Sequence, residues 1–209
     1  MIIDLTHIIH PNMPVYPGTE KPIFHKGTTI EKDGFLEKKV SFFSHTGTHM
    51  DAPAHIIKKA KTLDALEINH FCGEALCIDV KDEFLKKEFL KKYEDDLKEV
   101  DFIILRSSWS KFWGEEKYFT NFPTLTKKAA FYLREFNLKG IGLDMISIDK
   151  VENESLPIHH IILSNNMVII ENLTNLENLP KRFKFYALPL KLQDADGAPV
   201  RAIAEINNF

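Results

Sequence analysis

The sequence predicts an α/β (mixed α+β) fold with a central mixed sheet, hairpin-like strands and flanking helices. Three observations carry that expectation. Short, strongly apolar runs at 75–80, 100–105, 140–144 and 167–170 have the length and composition of buried strands. Stretches with helical spacing lie between them, the alternation that builds a sheet covered by helices. Both ends of the chain carry hairpin-like strand pairs instead. The 209 residues are 44% hydrophobic and show no repeat, linker or low-complexity stretch, so 1–209 reads as one domain.

In chain order, residues 2–9 are rich in β-branched side chains and read as an opening strand. The proline-rich run 11–18 excludes regular helix; its Tyr16, held between prolines, is a candidate wall of a binding pocket or else an exposed loop aromatic. Two strands within 21–43 flank Asp33-Gly34, a hairpin-type pair. Residues 56–72 suit a short packed segment, and 75–80 a buried strand. Over 82–99, apolar positions from Phe84 to Leu97 recur at helical spacing in a charged background, which predicts a helix with a solvated outer face. A strand at 100–105 and an aromatic loop at 111–122 follow, then a helix from Pro123 to about Asn137 with Thr126 as N-cap. After the strand at 140–144, a short helix starts near Pro157 and a strand at 167–170 ends on Glu171. Residues 184–190 and 200–206 form the final antiparallel pair.

Composition narrows the partners. A formal charge of −3 leaves no basic footprint for nucleic acid. No apolar run approaches the length of a membrane span, and Met1-Ile2-Ile3-Asp4 lacks the basic start of a secretory signal. Cys72 and Cys77 match no zinc or redox spacing. A cytoplasmic protein with reduced, structural thiols is expected.

The chemistry concentrates in Ser44–His55. Thr46, Gly47, Thr48 and Pro53 disfavour helix, so an extended reading places His45, Gly47, His49 and Asp51 on one face. Gly47 would then leave a gap between two imidazoles in which a cation could sit. Two imidazoles and a carboxylate are a common donor set for a catalytic divalent metal. His55, beyond the Pro53 bend, is a fourth ligand or a nearby acid–base group. His159, His160 and Glu171 are the remaining candidates. Adjacent residues cannot both face one site, and spacing does not choose between the two histidines. Glu171 ends a very apolar strand, where a carboxylate either meets a cleft and a partner or caps the strand end.

The stretch His45–His55 resembles the H-x-G-T-H-x-D-x-P-x-H signature of the metal-dependent cyclase family, which includes bacterial kynurenine formamidases and isatin hydrolases. Further blocks at 13–18, 105–109, 159–173, 188–190 and 196–202 resemble it too. The resemblance implies metal ligands at His45, His49, Asp51, His159 and Glu171, with Asp51 and Glu171 bridging two divalent ions, Zn²⁺ or Mn²⁺. It implies His55 as proton shuttle, Tyr16 at the substrate and a homodimer. The implied reaction is hydrolysis of a small-molecule amide by metal-activated water: an aryl formamide such as N-formylkynurenine, or alternatively an isatin-like cyclic amide. A metal-binding protein without turnover is the competing class. Two segments depart from the family: Tyr16 where kynurenine formamidases carry Trp, and bulky Met145-Ile146 where a small residue and Pro are usual.

Overall fold

A computed structural model describes residues 1–206. Its first strands are β1 (Ile2–Asp4), β2 (Ile23–Lys26), β3 (Lys38–Ser41), β4 (His49–Asp51), β5 (Cys72–Asp79) and β6 (Phe84–Leu85). After these come β7 (Phe102–Arg106), β8 (Thr124–Leu125), β9 (Gly140–Leu143), β10 (Val168–Glu171), β11 (Arg182–Pro189) and β12 (Gly197–Glu205). The α-helices are α1 (Ile30–Asp33), α2 (Lys87–Leu90), α3 (Glu94–Leu97), α4 (Lys127–Leu133) and α5 (Pro157–Leu163).

The main sheet is mixed and closes on itself. Its order is β1-β12-β11-β5-β7-β9-β10-β4, and β4 returns to pair with β12. The β5–β7–β9–β10 block is parallel; every other pairing in this sheet is antiparallel. Strand alternation then sorts the side chains into two cores. Ala75, Cys77, Phe102, Ile104, Val168 and Ile170 fill the inside of the ring. Leu76, Ile78, Ile103, Leu105, Ile141 and Ile169 face outward beneath α4 and α5. In β9 the inward positions are glycines because the ring is tight there: a Cβ on Gly140 would lie 2.7 Å from Val168 Cγ2.

Several boundaries differ from the sequence reading. The opening strand stops at Asp4, whose Oδ1 accepts the Thr6 N–H, and Thr6 keeps only an isolated bridge to Leu173. The helix expected over 82–99 is broken into β6, α2, a 3₁₀ turn and α3. Phe84-Leu85 pairs with Thr124-Leu125 instead, so tertiary pairing outweighs helical propensity. The β2–β3 hairpin forms, with α1 in its connection and Gly34 at φ 81° closing that turn. Thr126 caps α4 as expected, its hydroxyl accepting from the Ala129 N–H at 3.3 Å, although α4 ends at Leu133. Both cysteines are free, and burial pushes the Cys77 thiol up to about 11. Among the described residues no helix is long and apolar enough to cross a membrane.

Candidate metal centre

The site forms on the outer face of the sheet where β4 meets β10. His49 and Asp51 alternate with the inward Met50, and antiparallel register sets Glu171 opposite His49 and Ile169 opposite Asp51. Two adjacent strands therefore present His49, Asp51 and Glu171 on one side. Helix α5 lies across β10 and brings in His159, which is buried; its neighbour His160 is exposed.

His45 arrives differently from the sequence reading. The extended strand covers only His49–Asp51, because Gly47 sits at φ 66° and turns the chain. No gap for a cation opens at Gly47: a Cβ there would press on Ile9 Cγ1 at 3.1 Å. Its carbonyl instead accepts the His49 Nδ1–H and the Asn172 Nδ2–H, each at 2.9 Å. That bend swings His45 over the strand, with Nδ1 2.7 Å from Asp51 Oδ1. His55 leaves the strand line in the 3₁₀ turn Pro53–His55, and its ring centre lies 4.0 Å from that of His45.

The carboxylates are shared between histidines. Asp51 Oδ1 is 3.3 Å from His49 Nε2, and its Oδ2 is 3.6 Å from His159 Nε2. Glu171 mirrors this, with Oε2 3.6 Å from His49 Nε2 and Oε1 3.5 Å from His159 Nε2. These separations are long for hydrogen bonds. They match the roughly 3.4 Å between donors that each sit about 2.1 Å from one tetrahedral ion. Asp51 Oδ2 is buried and has no hydrogen-bond partner among the described residues. The sets His45–His49–Asp51 and Asp51–His159–Glu171 each converge within 4.8 Å, and the residues present thus fit divalent cations.

The charges agree. Burial opposes ionisation of Asp51, yet the His45 charge and the His159, His45 and His49 imidazoles turned toward it hold its carboxyl well below the usual range. Burial also opposes charge on His45, but Asp51 and Asp196 outweigh it and raise the imidazole to about 9. Against the same burial, Asp149, Asp51 and Glu171 lift His159 well above 6.5. The carboxylates thus demand positive charge, which protons or a cation can supply.

Three supporting residues escape the sequence reading. Asp149 accepts the His159 Nδ1–H at 2.8 Å and the Ile158 and His159 backbone N–H groups, capping α5 while aiming His159 Nε2 at the carboxylates. Asn172 buttresses the Gly47 carbonyl. Asp196, just before β12, places Oδ2 3.0 Å from His45 Nε2. Only the helix-opening Leu156-Pro157 hinted at a cap to be found. Asn172 and Asp196 lie in blocks that resemble the family, but nothing local gives them or Asp149 a role, since all three act across the fold.

A cavity of about 450 Å³ opens beside the cluster. Tyr16 stands on its wall with Val15, Phe43, Ile146 and Leu156. Of the two bulky departures, Ile146 faces the cavity, whereas Met145 is buried with its sulfur 2.9 Å from the Ser107 hydroxyl oxygen.

The cluster and its cavity are the donor set and binding space of a metal-dependent hydrolase, and relatives narrow it to an amidohydrolase. The sequence profile of the family described as "Putative cyclase" matches residues 3–150, and the chain belongs to that cyclase family. The kynurenine formamidase of Bacillus thuringiensis (strain Al Hakam) is 31% identical over 204 residues, 96% of this chain and 95% of its own. That of Bacillus anthracis has the same identity and coverage. Among solved structures, an isatin hydrolase bound to the product analogue thioisatinate superposes with a TM-score of 0.89 at 26% identity, covering 99% of this chain and 92% of that one. A potential metal-dependent hydrolase with cyclase activity gives 0.81 at 29% identity, covering 98% and 96%.

Proposed function

We propose that the protein hydrolyses the C–N bond of an aryl formamide, N-formylkynurenine to kynurenine and formate being the reaction its curated relatives suggest. The observation that carries this reading is the pair of carboxylates, Asp51 and Glu171, each turning one oxygen to His49 and the other to His159. His45, His49 and Asp51 would hold one divalent ion, zinc or manganese, and Asp51, His159 and Glu171 a second. Bound there, such ions polarise a carbonyl and bring the pKa of water toward 7.

The chain's own residues do the rest. The walls made by Val15, Tyr16, Phe43, Ile146 and Leu156 receive an aromatic ring and keep bulk water from it. His55 accepts the proton released by the attacking water and delivers it to the leaving nitrogen. An anilide nitrogen leaves poorly as an anion, so that delivery contributes roughly 10²–10⁴-fold. Homodimerisation and a cytoplasmic location complete the reading.

One observation favours a second substrate. Among the described residues lining the cavity there is no Lys or Arg, while Asp196 stands at its edge. The carboxylate of an amino-acid tail finds no basic side chain there, whereas a neutral, flat cyclic amide, as taken by the isatin hydrolases, needs none. The test is hydrolysis by protein reconstituted with zinc or manganese, with N-formylkynurenine and isatin supplied in parallel. Chelator-sensitive turnover of either supports amide hydrolysis and identifies the preferred class. Rates at the buffer level for both would overturn it.

A further inference from the structure

Asp196 reaches the site from the far end of the chain. Its backbone carbonyl accepts the Ala52 N–H at 2.8 Å, and the next residue, Gly197, pairs with Asp51. A Cβ on Gly197 would stand 2.6 Å from His45 Cε1, so the ring lies directly over this strand. The carboxylate then stands between two imidazoles: its Oδ2 is 3.0 Å from His45 Nε2 and also 3.7 Å from His55 Nδ1.

Imidazole chemistry gives this sharing a consequence. His45 turns Nδ1 toward Asp51, so Nε2–H is the bond it can donate to Asp196, leaving the Nδ1 lone pair for a cation. At 3.7 Å His55 Nδ1 lies beyond hydrogen-bond length, but a ring lone pair turned toward this carboxylate would be repelled, so the nitrogen facing it carries the hydrogen. His55 is then held as the Nδ1–H tautomer, with Nε2 free to take a proton. We infer that Asp196 is a positioning residue that fixes both the ligand His45 and the proton carrier His55 through one oxygen atom. The inference rests on the role given to His55 above. It explains how the two rings stay 4.0 Å apart at a 40° tilt without a direct hydrogen bond between them.

The test uses the full chain loaded with zinc, as wild type and as Asp196→Ala. Nitrogen NMR of isotope-labelled histidines should show His55 as the Nδ1–H tautomer in the wild type and as the Nε2–H form or a mixture in the variant. Zinc equivalents per chain should stay equal, while affinity in chelator competition falls roughly 10-fold or more. With an aryl amide substrate, kcat should fall on the order of 10²-fold with KM nearly unchanged. The double variant with His55→Ala should be no slower than His55→Ala alone. An unmoved His55 tautomer overturns the inference, as do losses that multiply in the double variant. Loss of a whole zinc equivalent also overturns it, making Asp196 a ligand. If the wild type hydrolyses no amide, the functional reading fails, and the tautomer alone still decides this one. Where Asp196→Ala does not fold, Asp196→Leu, of similar size and without an acceptor, supplies the same spectrum.

Discussion

Asp51 Oδ2 faces His159 Nε2 at 3.6 Å, across 108 residues of sequence, and neither atom hydrogen-bonds the other. Asp51 also serves His45 and His49 through its second oxygen, so all three imidazoles converge on one carboxylate. Asp51→Ala is expected to lose metal and activity together. Metal quantification after dialysis beside a rate assay checks this; a variant that kept its metal would deny Asp51 the central place.

His55 lies outside the two sets built around Asp51, although with His45 and Asp196 it makes a third, more exposed set that could also hold an ion. His55→Ala should retain its metal and lose roughly 10²–10⁴-fold in kcat, with KM little changed. Steady-state kinetics on metal-quantified protein separates the roles. If the variant binds no metal and excess metal restores activity, His55 is a ligand.

Asp149 holds α5 and His159 at once. Asp149→Ala strands buried N–H groups at the helix start and should cost about 2–4 kcal/mol of stability. It should also weaken metal binding at His159 by about 10–100-fold. Denaturant unfolding of chelator-treated protein reads the first effect and metal titration the second. Unchanged affinity for both metal equivalents would show that His159 needs no orienting partner.

The site also sets a pH dependence. His45 is raised in the folded protein to about 9, from an ordinary 6.5. A raised value stabilises the fold fully below 6.5, and that contribution disappears as pH climbs through about 9. Chelator-treated protein should therefore lose Tm across this window. A cation takes the proton's place, so metal affinity should rise with pH over the same window as fewer protons have to be displaced. Thermal melts with chelator and with zinc at several pH values check both signs. A chelated protein that gained Tm toward pH 9 would contradict the assignment.

Much of the fold was legible locally. The apolar runs at 75–80, 100–105 and 167–170 lie in or overlap buried strands, since burial on both sides of a parallel sheet demands continuous hydrophobic sequence. The 82–99 helix was misread because Phe84-Leu85 has a distant partner, Thr124-Leu125, that periodicity cannot reveal. Within the site, the density of histidines around residue 50 announced itself. Asp149 did not, and Asp196 stood only at the head of a family-like block without a role, because an orienting carboxylate is defined by its position in space.

By itself, then, the sequence determined a mixed α/β fold, a histidine-rich donor cluster between His45 and His55, and kinship with a metal-dependent family. Choosing His159 over His160 on physical grounds, setting Glu171 against His49, turning the chain at Gly47 and laying Asp196 between two imidazoles were left to the tertiary structure. Composition and periodicity are properties of neighbours along the chain. A donor set depends on atoms a few ångströms apart in space, and only the closure of the sheet, with β4 between β10 and β12, brings those atoms together.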